Sequence, residues 1–239
     1  MRDLPELPED PRDMPRLPLR RAALPPLPAG LKLALGAMVA IELVLTAADS
    51  GLIGARHWRA AAIALFGFQE AVFDGSAREY WPGERWAMLV THAFLHGGLV
   101  HLAMNVVVLL SLGKLVTARV GGVRTVALLF LTAIGGGLVF GLIGPAQSQM
   151  VGASGAVFGF IGLWQYGDWR FRLRHGLTLR PVVSLILGLA FANLLIWWML
   201  RGGLAWEAHL GGFLAGWFCG WAWRGVSGPG GPLPGARPW

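Results

Sequence analysis

The 239-residue chain is 55% hydrophobic and 14% charged, with a formal net charge of +7. A soluble globular domain carries about 25% charged residues, so this composition excludes one and points to a membrane protein. The positive charge invites nucleic acid as a partner, but the arginines fall between apolar runs, where the positive-inside rule accounts for them, and no nucleic acid is expected. Cys219 is the single cysteine, which excludes an intramolecular disulfide.

Residues 1–30 hold eight of the fifteen prolines among arginines and acidic residues. Such a segment cannot bury a core and reads as a disordered cytoplasmic tail. Residues 31–48 form the first apolar run, interrupted by Lys32 and Glu42. A cleaved signal peptide is the competing reading. The run is long for a signal's apolar core and the tail before it is atypical, which favours a retained helix. Residues 49–90 are mixed. An apolar stretch over 60–68 is too short to span, and Arg56, Arg59, Glu70, Asp74, Arg78, Glu79, Glu84 and Arg85 surround it. Trp58, Tyr80, Trp81 and Trp86 suit the headgroup level, so this is read as a large first loop lying partly in the interface.

Five further apolar segments follow, over 99–118, 123–143, 151–166, 181–200 and 208–223. Lys114, Arg119 and Arg124 flank one connection and Arg170, Arg172, Arg174 and Arg180 crowd another, whereas 144–150 carries no charge. This alternation predicts an all-α membrane protein of six transmembrane helices over 31–224, with both termini and the basic loops in the cytoplasm. The arginines at 56, 59, 78 and 85 in the outer loop run against that rule. Residues 225–239 read as a flexible Gly/Pro-rich tail.

Polar and ionisable groups inside a membrane are costly and default to functional hypotheses. Ser154 lies among small residues in Val151-Gly152-Ala153-Ser154-Gly155-Ala156, where an apolar run begins. It is either inert helix packing or a nucleophile awaiting a base. His101 and Asn105 are four apart and share a helix face; they are either a polar pair joining two helices or donors to a developing oxyanion. His209 sits just inside the last run, either as a general base, a structural hydrogen bonder, a haem ligand or a proton relay. Gly155 with Gly159, and Gly212 with Gly216, have the four-residue spacing that lets helices pack closely enough to bring Ser154 and His209 together. His92 and His96 have a metal-ligand spacing, but Ala93 stands where a zinc protease motif has glutamate. They are expected to pin the loop to the helix mouth, with no metal. No acidic residue occupies a third triad position: Glu207 falls on another face from His209, and Asp168 lies at the far end of its helix. Trp197 and Trp198 suit an interfacial belt more than a gate.

In order along the chain, His96-x4-His101-x3-Asn105, Gly152-Ala153-Ser154-Gly155 and Ala208-His209-x2-Gly212 followed by Gly216 resemble the rhomboid family of intramembrane serine proteases. The resemblance covers about residues 31–224. It implies Ser154 as nucleophile, His209 as general base, and His101, Asn105 and the Ser154 amide as the oxyanion hole. It also implies cofactor-free cleavage of single-span membrane proteins within or beside their transmembrane helix. Because the reaction needs water, a hydrophilic cavity open to the outer face and ringed by Ser154, His209, His101 and Asn105 is expected. Two positions depart from the family pattern. Ala87 and Met88 stand where many members have a Trp-Arg pair, and Phe158 replaces a tyrosine that packs on the catalytic histidine. Two other classes of function stay open: a non-proteolytic rhomboid-like protein that binds transmembrane helices, and a cytochrome holding haem through His92, His101 and His209. A chain rich in Arg, Gly, Ala and Pro suggests a bacterial inner membrane. Nothing in the sequence sets the oligomeric state.

Overall fold

A computed structural model describes residues 24–223. The tails expected over 1–30 and 225–239 therefore lie largely or wholly outside the described residues. Helix α1 (Ala29–Asp49) begins directly after Pro28 and is followed by α2 (Trp58–Phe66), β1 (Phe68–Gln69), α3 (Glu70–Asp74) and α4 (Glu84–Thr91). A 3-10 turn over His92–Phe94 leads into α5 (Leu99–Val120), α6 (Gly122–Ile143), β2 (Gln149–Met150), α7 (Ser154–Arg174), α8 (Arg180–Met199) and α9 (Trp206–Ala222).

Among the described residues, α1, α5, α6 and α8 are long and apolar enough to cross a membrane. The two other expected spans do not pass that test for physical reasons. Helix α9 has 17 residues. Helix α7 continues past the expected end at residue 166 to Arg174, and its last turns are charged. Those turns stay helical because their polar groups find partners: Arg172 pairs with Asp168 at 2.9 Å. The Arg119 guanidinium from α5 also lies 3.0 Å from the centre of the Trp164 ring.

Helix α7 is buried on all sides, from Gly155 and Ala156 through Phe160 and Leu163 to Tyr166, as expected of the central helix of a bundle. Its closest partner is α9. A Cβ at Gly212 would run into the Gly155 carbonyl, and one at Gly216 into the Gly159 carbonyl. Only glycine permits that backbone-on-backbone approach, and it makes one continuous seam of the two helices. The main core lies around α7, with Leu31, Met38, Leu109, Leu128 and Phe160 among its buried members. A smaller cluster beside it joins the loop to α6 and α9 through Phe68, Met88, Phe140, Met150 and Ala208.

The first loop is a folded cap. Antiparallel pairing of Phe68 with Met150 and Gln69 with Gln149 ties it to the segment that enters α7. A second tie runs to α1. Both Arg59 terminal nitrogens reach the buried Glu42 carboxylate at 2.9 Å, and Nε reaches Asp49 at 2.6 Å. Arg59 also donates to the His96 carbonyl at 2.7 Å. The hydrogen bond to Glu42, more than any other contact, holds the Arg59 pKa above its ordinary value against the opposing effect of burial. A bidentate pair is the arrangement that lets a carboxylate remain charged inside a membrane helix. It also explains one arginine that opposed the positive-inside pattern: Arg59 is matched by two carboxylates.

Candidate active site

Ser154 is the first residue of α7 and His209 lies in the first turn of α9. The glycine seam sets these two helix starts side by side, and Ser154 Oγ lies 2.8 Å from His209 Nε2. Because Ser154 opens the helix, the amides of its first turn have no intrahelical partners and, with the helix dipole, favour negative charge there. Phe158, one turn further on, stacks on the imidazole with ring centres 4.3 Å apart and planes 8° from parallel. The phenyl ring that departs from the family pattern thus retains face-to-face contact with the histidine.

The segment before Ser154 brings in the other candidates. Gly152 has φ +117°, a region that side chains rarely adopt, and a Cβ there would sit 2.7 Å from the His101 ring and 3.8 Å from Asn105 Nδ2. His101 and Asn105 therefore lie against the backbone that leads into the serine. Gly97 N–H points at His101 Nδ1 across 3.4 Å. That nitrogen accepts, which leaves Nε2–H free to donate. Asn105 Nδ2 donates to the His101 carbonyl at 3.0 Å, which uses one of its two hydrogens. A hydroxyl beside an imidazole, with two side-chain donors close by, is able to carry out acyl transfer.

His92 ties the cap to the segment before Ser154, whereas His96 contributes only its carbonyl, which accepts from Arg59. The His92 carbonyl accepts from Gly152 N–H at 2.9 Å, and its Nδ1–H donates to the Met88 carbonyl at 2.7 Å. Met88, at a position where the family commonly has arginine, is fully buried, and its sulfur faces the Gln69 amide at 3.5 Å. The His96 ring is buried edge-on to His101 at 5.2 Å, with neither nitrogen bonded to protein. Burial lowers the pKa of His92 to about 4 and that of His96 to about 3. Both are neutral at physiological pH. Among the described residues no three metal-ligating side chains cluster. Haem ligation by His92, His101 and His209 is not supported, because Ser154 and Asn193 occupy both nitrogens of His209.

Asn193 was not among the sequence candidates. It lies on α8, and its Oδ1 is 2.5 Å from His209 Nδ1. Its signal was a lone carboxamide within an apolar helix, which is costly unless bonded. A neutral carboxamide lacks the charge by which an acidic third partner is recognised. Glu207 is buried but does not bond His209, and Asp168 is engaged with Arg172 near the other end of α7. Beside His209 a cavity of about 590 Å³ separates α8 from α7 and α9. Its walls are apolar and include Ile186, Leu189, Trp197, Leu210 and Phe213. Of the four residues expected to ring a hydrophilic cavity, His209 alone lines this one. Trp197 faces it, whereas Trp198 is 71% exposed, as suits a lipid-facing belt.

Residues 82–225 match the family model described as Rhomboid domain. RHOMBOID-like protein 5 of Arabidopsis thaliana is 34% identical over 58% of this chain and 44% of its own length. Rhomboid-like protein 11, chloroplastic, of the same plant is 32% identical over 55% of this chain and 50% of its own. Rhomboid protease GluP of Bacillus subtilis is 31% identical over 57% of this chain and 25% of its own. The chain thus spans half or less of the length of these relatives.

Proposed function

The chain belongs to the rhomboid family, and on that premise we propose that it is an intramembrane serine endopeptidase with Ser154 as nucleophile and His209 as general base. The observation that carries the reading is the 2.8 Å separation of Ser154 Oγ and His209 Nε2 at the start of two helices joined by glycine contacts. A serine hydroxyl is a weak nucleophile until a neighbouring base takes its proton. Here the base is within reach, and stacking on Phe158 restricts the ring plane.

In this reading Ser154 Oγ attacks the scissile carbonyl while its proton passes to His209 Nε2. The carbonyl π electrons move to oxygen, which meets His101, Asn105 and the amides of the first turn of α7. Collapse expels the amine with the proton from His209, and a water then repeats the sequence on the acyl-enzyme. The substrates are single-span membrane proteins cut within or beside their transmembrane helix, which must locally unwind to expose a carbonyl. Residues 31–224 form the protease domain, in which α7 and α9 span together with the four long apolar helices and both termini face the cytoplasm. A helix as long as α7 rises ~31 Å, enough to cross the hydrocarbon. The protein is an integral membrane protein; relatives with a chloroplastic name and a bacterial source do not support a bacterial inner membrane in particular.

The test is a fluorescent fluorophosphonate applied to the purified protein beside Ser154→Ala, followed by a single-span substrate. Labelling and cleavage that both vanish in the variant support the protease. Equal labelling, or none in a folded wild type, overturns it in favour of a helix-binding protein without catalysis.

A further inference from the structure

The orientation of Asn193 determines which nitrogen of His209 holds a hydrogen. Asn193 Nδ2 donates to the Leu189 carbonyl at 2.8 Å, one turn back along α8. An amide has one donor end and one acceptor end. With the amino group turned to a carbonyl, Oδ1 faces the imidazole, 2.5 Å from Nδ1. Nδ1 must then carry the hydrogen and donate it, which leaves the lone pair on Nε2, facing Ser154 Oγ at 2.8 Å. The other tautomer would set two lone pairs against each other at Nδ1 and give the serine no base. Phe158 restricts the ring to a plane, and Asn193 and Ser154 fix its rotation within that plane.

We infer that Asn193 is a positioning residue for the hydrolytic reaction, holding His209 as the Nδ1–H tautomer so that Nε2 can accept the Ser154 proton. This rests on the protease reading above and extends its reacting pair to a Ser-His-Asn group. The third member comes from the long helix that buries the fewest residues. Among its described residues α8 buries only Val182, near its start. The cavity of about 590 Å³ lies between α8 and its neighbours. The hydrogen bond to His209 therefore attaches the later half of α8 to the bundle, and the base is oriented only while α8 is seated. Asparagine is neutral, so it orients the imidazole without the charge that an aspartate would add.

The experiment compares the full chain with Asn193→Ala and Asn193→Asp in turnover of a single-span substrate across pH, and in 15N-histidine spectra assigned with His209→Ala. Asn193→Ala is expected to lower kcat by on the order of tenfold to a hundredfold, short of the ~10⁴ lost when a charged orienting residue is removed. KM should stay within about twofold. Asn193→Asp should restore turnover and move the acid limb of kcat/KM upward by about one unit or more, because a carboxylate favours the imidazolium. A packing role alone would not move that limb. In wild type the His209 spectrum should show hydrogen on Nδ1, and Asn193→Ala should disturb that pattern. Unchanged kcat and acid limb in both variants, or hydrogen on Nε2 in wild type, would overturn the inference. If wild type turns over no substrate the protease reading has failed separately, and the spectra still decide the role of Asn193.

Discussion

The α7–α9 seam and α8 both touch His209, but they are built in opposite ways. In the seam, backbone meets backbone: Gly155 and Gly159 carbonyls occupy the space a Cβ would need at Gly212 and Gly216. Such contacts have no side chain to rotate away, so the spacing of Ser154 and His209 is set rigidly. Helix α8 buries one residue, borders a cavity and adds one hydrogen bond to the site. Ser154 and His209, the proposed nucleophile and base, thus sit on a closely packed frame, and Asn193, proposed to orient His209, sits on a helix with little buried surface. Preorganised donors and acceptors are effective because they need no reorganisation at the moment of reaction; the backbone contacts give that rigidity to Ser154 and His209, the proposed reacting pair.

The largest effect should come from undoing the cap that closes over the rigid side. Arg59→Met leaves Glu42, 0% exposed, as an unpaired carboxylate. Breaking one partner of a buried ion pair costs about 3–5 kcal/mol, or roughly 10 °C in melting temperature for a chain of this size. Replacing both residues, with Glu42→Met added, should recover more than half of that loss. Thermal unfolding in one detergent checks it, and equal losses in the single and double variants would show that Glu42 is not paired as described.

Next is Gly212→Ala. The added methyl meets the Gly155 backbone, so the helices must separate, at a cost of about 3 kcal/mol at the upper end of overpacking. Fluorophosphonate labelling should fall with the melting temperature, because separation lengthens the Ser154–His209 contact. A variant that melts lower but labels at the wild-type rate would dissociate the seam from the site.

Acid should act on the same packed side. Burial lowers His92 to about 4 and His96 to about 3, whereas unfolded histidine titrates near 6.5. Between those values the unfolded chain binds more protons, so stability is complete above pH ~6.5 and is lost as pH falls towards the folded values. Each histidine should cost about 2 kcal/mol by pH ~5. His92→Asn, which cannot be protonated there, should flatten the fall in melting temperature over this range; an unchanged slope would assign the acid sensitivity elsewhere.

The parts legible in the sequence are those where one chemical constraint acts locally. A run of apolar residues marks a membrane helix, and the glycine spacings in α7 and α9 match the observed contacts. The motif residues Ser154, His209, His101 and Asn105 gather at one end of the bundle. The rest depends on partners far apart along the chain. Glu42 read as an interruption and Arg59 as an exception to charge rules until the fold joined them. The pairing of Phe68 with Met150 involves two residues on each side, too few for any alternation to reveal. Helix α7 runs past its apolar segment with Arg172 paired to Asp168 in its last turns, a contact that an apolar count passes over. Asn193 was hidden for a different reason. Its cost in an apolar helix was visible, but the partner that satisfies it lies on the next helix, and spacing gives no measure of that distance.

The smallest prediction tests the loose side. Gly188 lies within α8, and a Cβ there meets nothing within 4 Å. Gly188→Ala therefore introduces no clash, in contrast to the same substitution at Gly212. It should raise stability by about 0.5–1 kcal/mol, because alanine loses less backbone freedom than glycine on forming a helix. Activity is the more informative reading. If α8 must leave its seat to admit substrate and return to orient His209, stiffening the helix away from the site should leave fluorophosphonate labelling unchanged, since the seated state is retained. If movement of α8 proceeds by bending at Gly188 instead of by displacement of the whole helix, turnover of a membrane substrate should fall while labelling by the small probe does not. That split would locate the flexible point inside α8. Equal turnover and labelling would overturn bending at Gly188.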